Sequence, residues 1–519
     1  MTRLPTRVNS RRAKVNSRQS LAAPHDGWNA RDSVADMPST DAVILDNWLP
    51  QAGYLEMRRG STVHASGMSG QIQTIMQWAG SAGSSKMFAA NTTSVWNTTA
   101  QGAVGAADIT GLTNGRFQWV NFSTAGGDFL VACNGEDAVR NYDGSSWTTP
   151  TLTGGPGSPA GSTFDNVTVH KERLFFVEKN SMSYWVLNVK SIAGTATEVP
   201  LGSFTYKGGH LVAQFGWTID GGQGVDDLLV SITSEGETLV FQGNDPTDAN
   251  NWAMVGRYNL GKPAGKRCFE KIAGDLIVLT EDGYESLGAA IREGRSDPTK
   301  AVSDKIRGAV AEMMDLYRDN FGWQVLLFPK AGFILINVPI ITGSLYHQHV
   351  FSIRRKAWCR FTGIAAISWG FLNDQMYFGT AVGTVHKFWN TESDNGSDIV
   401  TDAQQAFGYF KTPGRIKAWR QIRPIMEASA SIIPSVGIST DFIISDPDGE
   451  ASFIADNVSV WDESEWDTTP WAGGNEIQAA WRDVFAEGIS GGLRMTVRCN
   501  TALCRWHATD FVYEVGDKF

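Results

Sequence analysis

One short formula recurs seven times along this chain, and the recurrence narrows the fold more than any single motif does. At 275–287 the sequence reads DLIVLTEDGYESL: four apolar residues, a polar knot ending in Asp282 and Gly283, then an aromatic-led return from Tyr284. Asp-Gly between two strand-like runs signals a β-hairpin, because glycine tolerates the positive φ of a tight turn. The same formula appears at 86–97, 128–142, 173–186, 227–241, 332–353 and 375–389. Successive starts lie 42, 45, 54, 48, 57 and 43 residues apart. A four-stranded propeller blade takes roughly 40–50 residues, so the spacing fits blades joined by some long loops.

Composition agrees. At 519 residues the chain exceeds one ordinary core, and two or more units are expected. Charged residues make up 19%, below the usual quarter, while glycine (55) and tryptophan (19) are generous. That profile suits turn-rich, aromatic-packed β structure and speaks against helical bundles and disorder. No apolar run reaches the length of about eighteen residues that marks a membrane-spanning helix. The start also lacks the basic-apolar-small order of a signal peptide, so a soluble chain made in the cytosol is expected.

One segment departs from the formula. In 299–319, Val302, Ile306, Val310 and Met313 share a helical stripe, with Asp297 and Pro298 ahead as a start signal. The stripe predicts an inserted helix whose apolar face meets the core or a neighbouring subunit. Beyond about residue 400 the formula stops, and 412–442 and 493–515 read as alternating strands with their own turns. The expected fold is therefore all-β. It comprises a basic arm over 1–40, an irregular β-propeller of six or seven blades over 41–398 with a helical insertion near 299–319, and a C-terminal β-sandwich-like domain over 399–519.

The net charge of −10 is unevenly spread, because the first twenty residues hold Arg3, Arg7, Arg11, Arg12, Lys14 and Arg18 without one acid. Three readings apply to this arm: a solvated tail, a docking arm for an acidic partner, or a transit peptide. Pro5 and the repeated Val-Asn-Ser give no amphipathic helix, which ranks docking above targeting and makes Arg3, Arg7, Arg11 and Arg12 the docking candidates. Without a hydrophobic pattern, residues 1–20 are expected to be disordered on their own. The acidic remainder disfavours tight, sequence-independent gripping of nucleic acid.

Chemistry-bearing patterns are thin. His347 and His349 alternate in a strand and share a face, yet no third ligand stands at motif spacing, so ordinary strand histidines are the expectation. Asp226 and Asp227 precede a strand, and the Asp-Pro-Asp-Gly run at 446–449 reads as a turn rather than a calcium loop. The five cysteines form no disulfide framework, and Cys499 and Cys504 are expected as packed thiols facing each other across a hairpin. No nucleophile elbow, P-loop or dinucleotide fingerprint occurs. No catalytic, cofactor-binding or metal residue is therefore assigned. Trp461, Trp466 and Trp471, threaded among acids, either fill space beneath a loop or stack on sugar faces.

Several stretches taken together resemble a known family. They are 41–67 (DAVILDNWLPQAGYLEMRRGSTVHASG), 241–287 followed by 301–307 (AVSDKIR), and 461–471 (WDESEWDTTPW) ahead of the final strands. In pattern and order they are similar to the tail nozzle (tail tubular protein B) and related virion proteins of short-tailed bacteriophages. The resemblance implies a structural protein of the virion tail: a β-propeller body with added β domains, assembled as a homohexameric ring below the adaptor that joins the portal. Contacts with a tail fibre or spike belong to the same picture. The ring would retain the genome and let DNA pass during ejection without sequence-specific binding, and a net acidic body suits such a lumen. The family has no catalytic residues to carry over, and no enzyme is expected. The alternative is a glycan-binding or glycan-cleaving propeller for host-surface recognition, with Trp461, Trp466 and Trp471 as stacking platforms.

Overall fold

Each of the seven repeats is part of a larger antiparallel meander. In a computed structural model that describes residues 16–155, 161–220, 225–272, 274–293, 299–430, 432–447 and 476–516, almost all regular structure is β. The opening example pairs Asp275–Thr280 with Gly283–Ser286, and Gly283 follows the turn at φ 141°, where a side chain would be strained. The described chain divides into two compact units: Trp28–Arg31 with Arg58–Ile399, and the described parts of 1–27, 32–57 and 400–519.

Beside a two-stranded sheet of Leu152–Thr153 and Gly194–Thr195, the described residues of the larger unit form seven sheets in chain order. Their first strands are Thr74–Ala79, Gln118–Thr124, Phe164–His170, Leu211–Asp220, Phe269–Ile272, Gln324–Phe328 and Ser368–Leu372. The repeats supply the second and third strands of each. Each sheet touches the next, and the seventh touches the first, so the contacts close into a β-propeller-like ring. Ser61–Ser66, from ahead of the first sheet, pairs antiparallel with Val385–Phe388 of the last and ties the ring shut.

Packing explains the formula. Along Arg173–Glu178, Leu174 and Phe176 join a core shared with the second sheet, while Phe175 and Val177 join one shared with the fourth. Leu130 and Ala132 likewise face the first sheet, and Val131 and Cys133 the third. A strand sandwiched between two sheets is buried on both faces, and its sequence becomes a continuous apolar run.

The helical segment is a 3-10 turn, Asp304–Ile306, continuing into α2, Arg307–Tyr317, after a shorter α1, Leu287–Glu293. Ile306, Val310 and Met314 are buried, so the stripe runs through Met314, and Met313 is half-buried. No stripe foretold α1. It begins directly after a strand, where Asp275 Oδ1 accepts from the Gly288 N–H at 2.9 Å and Ser286 Oγ from the Ala289 N–H at 3.1 Å.

The second unit draws strands from both ends of the chain. One sheet is built on Lys417–Ala428 and Cys504–Val515, with Ser17–Ala22, Trp48–Gln51, Tyr54–Met57, Glu476–Gln478 and Arg482–Gly488 added. The other aligns Asp41–Asp46, Ile399–Gln405, Gly491–Cys499 and Ile433–Thr440. They approach where a Cβ on Gly491 would lie 2.6 Å from the Trp419 ring, which only glycine permits. This differs from the sequence-based boundaries in two places. Residues 41–57 belong with the C-terminal strands rather than with the propeller body, because Ala42 pairs with Gln405 and Leu55 with Trp506. The stretch 1–20, expected to be disordered, includes part of a strand: Ser17–Ala22 runs antiparallel to 508–513.

Candidate functional site

The first strands of the first, second, fifth and sixth sheets bring polar residues to one shared cavity. Gln77, Gln118 and Gln324 turn toward the centre of the ring and line a cavity of about 310 Å³ together with Glu270 and Trp369. A second cavity of about 570 Å³ shares Gln118, Lys266 and Arg267 with the first and opens among the loops that lead into these strands. Its wall is predominantly cationic: Arg116, Lys179, Lys262, Lys266, Arg267 and Arg318 outnumber Glu136, Glu235 and Asp319.

Most of these cations have partners. Lys179 pairs with Glu136, Lys262 Nζ lies 3.0 Å from Glu235, and Arg318 donates to Glu281 at 2.9 Å. Lys266 Nζ reaches Asp165 Oδ2 at 2.6 Å; burial pushes the Asp165 carboxyl up, and Lys266 opposes that shift. Arg267 differs in kind. Its Nη2 donates to Thr74 Oγ1 at 2.6 Å and to the Phe117 carbonyl at 2.9 Å, and its Nη1 to the Gln73 carbonyl at 3.3 Å. These partners lead the first and second sheets, whereas Arg267 leads the fifth, on the opposite side of the ring. The side chain therefore crosses the central passage and forms the boundary between the two cavities. Burial lowers its pKa to about 10, and among the described residues no carboxylate pairs with it. In the inner cavity, burial raises Glu270 to about 7.

The histidine pair does share a face: His347 and His349 line one cavity of about 360 Å³ with Arg360 and Glu312. His349 is buried, hydrogen-bonds Tyr284 Oη through Nδ1 at 2.8 Å, and is held down to about 3 by burial and by Arg360. His347 is lowered to about 4 by the same causes. Both are neutral at ordinary pH. Among the described residues no three His, Cys, Asp or Glu side chains gather as a metal site.

Asp227 forms an ion pair with Lys171 at 3.0 Å and accepts from Thr218 at 2.9 Å. Cys499 and Cys504 are buried free thiols. They do not face each other across a hairpin, because the turn between them passes from one sheet to the other; the Cys499 thiol donates to the Ala502 carbonyl at 3.4 Å. Arg3, Arg7, Arg11 and Arg12, and likewise Trp461, Trp466 and Trp471, lie outside the described residues. The cationic cavity was not foreseen. Its residues are scattered over 114–323 in a chain of net charge −10, and the available signal was local: Arg116 and Lys266–Arg267 each stand just ahead of a first strand.

No family model matches the chain, and no curated protein matches it. Three solved structures show limited similarity. The computationally designed Ika8 protein aligns with a TM-score of 0.36 and 9% identity, over 67% of this chain and 96% of that one. Raptor of Chaetomium thermophilum aligns at 0.39 and 10%, over 64% of this chain and 29% of its own length. BBS1N, crystallised in complex with ARL6DN, aligns at 0.39 and 10%, over 64% and 98%. Likenesses this distant assign no function.

Proposed function

We propose that this chain is a non-enzymatic structural protein of a virion tail, a nozzle of the short-tailed bacteriophage type, whose propeller-like ring is a seven-bladed β-propeller. One observation carries the reading beyond the resemblance itself. The continuous run 41–67, the first of the resembling stretches, supplies strands to both units: Asp41–Asp46, Trp48–Gln51 and Tyr54–Met57 to one, and the ring-closing Ser61–Ser66 to the other. Each unit is thereby tied to N-terminal strands through pairings hundreds of residues apart. A component that holds a packaged genome has use for such long-range closure.

The passage for DNA is not the centre of the ring, since Arg267 bridges opposite sheets there. In this reading the conduit lies between copies of the chain, arranged as a hexamer on the adaptor. A net charge of −10 favours sliding of a phosphate polymer past such a wall over its retention. The test is negative-stain imaging of the chain mixed with its adaptor. Six-fold rings with an open lumen support the reading, and particles without rotational symmetry refute it.

A further inference from the structure

We propose that the 570 Å³ cavity at the mouth of the ring binds a small polyanion, held between the guanidinium groups of Arg116 and Arg267. The volume lies within the usual span of small-molecule sites, roughly 300–1,000 Å³. Charge balance then identifies which groups have room for a ligand. Lys179, Lys262, Lys266 and Arg318 each already hold a carboxylate. Arg116 and Arg267 hold none among the described residues, and both lie against one ring: their guanidinium carbons stand 4.4 and 6.0 Å from the centroid of Phe321.

Arg267 is the stronger argument. Its three hydrogen bonds go to two carbonyls and a hydroxyl, all neutral. They occupy three of the five N–H donors of a guanidinium and leave two for a ligand. A cation buried enough for its pKa to fall normally has an anion beside it, because desolvation without one is costly. Arg116 adds a guanidinium over the Phe321 ring, free of side-chain hydrogen bonds to the described residues. The open fork of Arg116 and the two N–H groups left on Arg267 select an anion with two acceptor groups, a dicarboxylate or a pyrophosphate, over a single charge. The inference stands apart from the tail reading, since it rests only on the cavity.

The experiment is isothermal titration calorimetry of the full chain with pyrophosphate and with citrate, each against sodium chloride of matched ionic strength. One saturable site per chain is expected for at least one probe, and response to both marks charge and spacing, rather than phosphorus, as what is read. Arg116→Ala should weaken binding about tenfold or more, the worth of one charge-assisted contact. A parallel readout needs no variant: a saturating probe should slow phenylglyoxal labelling of Arg116, followed by peptide mass. Heats indistinguishable from chloride with both probes, unchanged affinity in a folded Arg116→Ala protein, or unprotected Arg116 would each overturn the proposal.

Discussion

Arg267 and Thr74 meet across the centre of the ring, Nη2 to Oγ1 at 2.6 Å, although 193 residues separate them in the chain. The bond joins the lead-in of the fifth sheet to the first strand of the first, and the carbonyls of Gln73 and Phe117 complete the bridge. Arg267→Met would keep much of the apolar stem and strand those acceptors. A loss of about 2–4 kcal/mol is expected, from several unmade bonds partly offset by relief of a buried charge. Denaturant melts measure it; a change within about 0.5 kcal/mol, the range of an ordinary surface substitution, would mean that the bridge is not structural.

Ring closure has its own latch. Arg58, 1% exposed, donates to both oxygens of Asp394 at 3.0 and 2.5 Å and to the Thr362 carbonyl at 3.1 Å, just ahead of the closing strand Ser61–Ser66. Removing the carboxylate takes from the buried guanidinium its bidentate partner, so Asp394→Ala should cost about 3–5 kcal/mol. Adding Arg58→Met to that variant should recover part of the loss. A double variant no more stable than Asp394→Ala alone would contradict this account.

Glu270 makes stability depend on pH in an unusual direction. Burial lifts its pKa from 4.5 in a free chain to about 7. Between those values the folded state binds the proton and the unfolded state does not, so this group's contribution is complete below about pH 4.5 and is lost as pH rises toward 7. Glu270→Gln should therefore stabilise the protein at pH 8, by an amount on the order of 3 kcal/mol at most, and change little at pH 4. Melting temperatures of both proteins at the two pH values test it; equal differences at both would exclude the shift.

His349 acts in the opposite sense. Its folded pKa of about 3 lies below the free value of 6.5, so the unfolded state gains the proton first and stability falls as pH drops through that window. Chemical shifts of its ring should show no titration down to pH 5 in the folded protein. A midpoint near 6.5 would contradict the buried contact with Tyr284.

The strand Ser17–Ala22 covers one edge of Cys504–Val515. Truncation through Ala22 should destabilise the C-terminal unit by about 2–4 kcal/mol, from lost cross-strand pairing and burial. Hydrogen exchange of the amides in 508–513 should quicken. Unchanged exchange would show that the strand adds nothing there.

What the sequence disclosed follows from which faces are buried. The seven hairpins were legible because strands such as Arg173–Glu178 touch a core on each side, so Leu174 through Val177 are all apolar. First strands such as Gln118–Thr124 alternate between the core and a polar centre, and their register with the ring could not be read. The helix near 299–319 was visible from its period, whereas α1 carries Gly288 and only seven residues. The allegiance of 41–57 was hidden because Leu45 finds Ala403 and Glu56 finds Arg505, partners that local pattern does not name. The cavity was hidden for a related reason: Arg116 and Arg267 become neighbours of one ring, Phe321, only after the sheets close.

The central claim is that this chain builds a nozzle from several copies of itself. Mass photometry of the purified chain, alone and with its adaptor, tests that claim most directly. A species at six times the 56.5 kDa of one chain, plus bound adaptor where present, is the expected result. A protein that stays at 56.5 kDa with the adaptor supplied would contradict it.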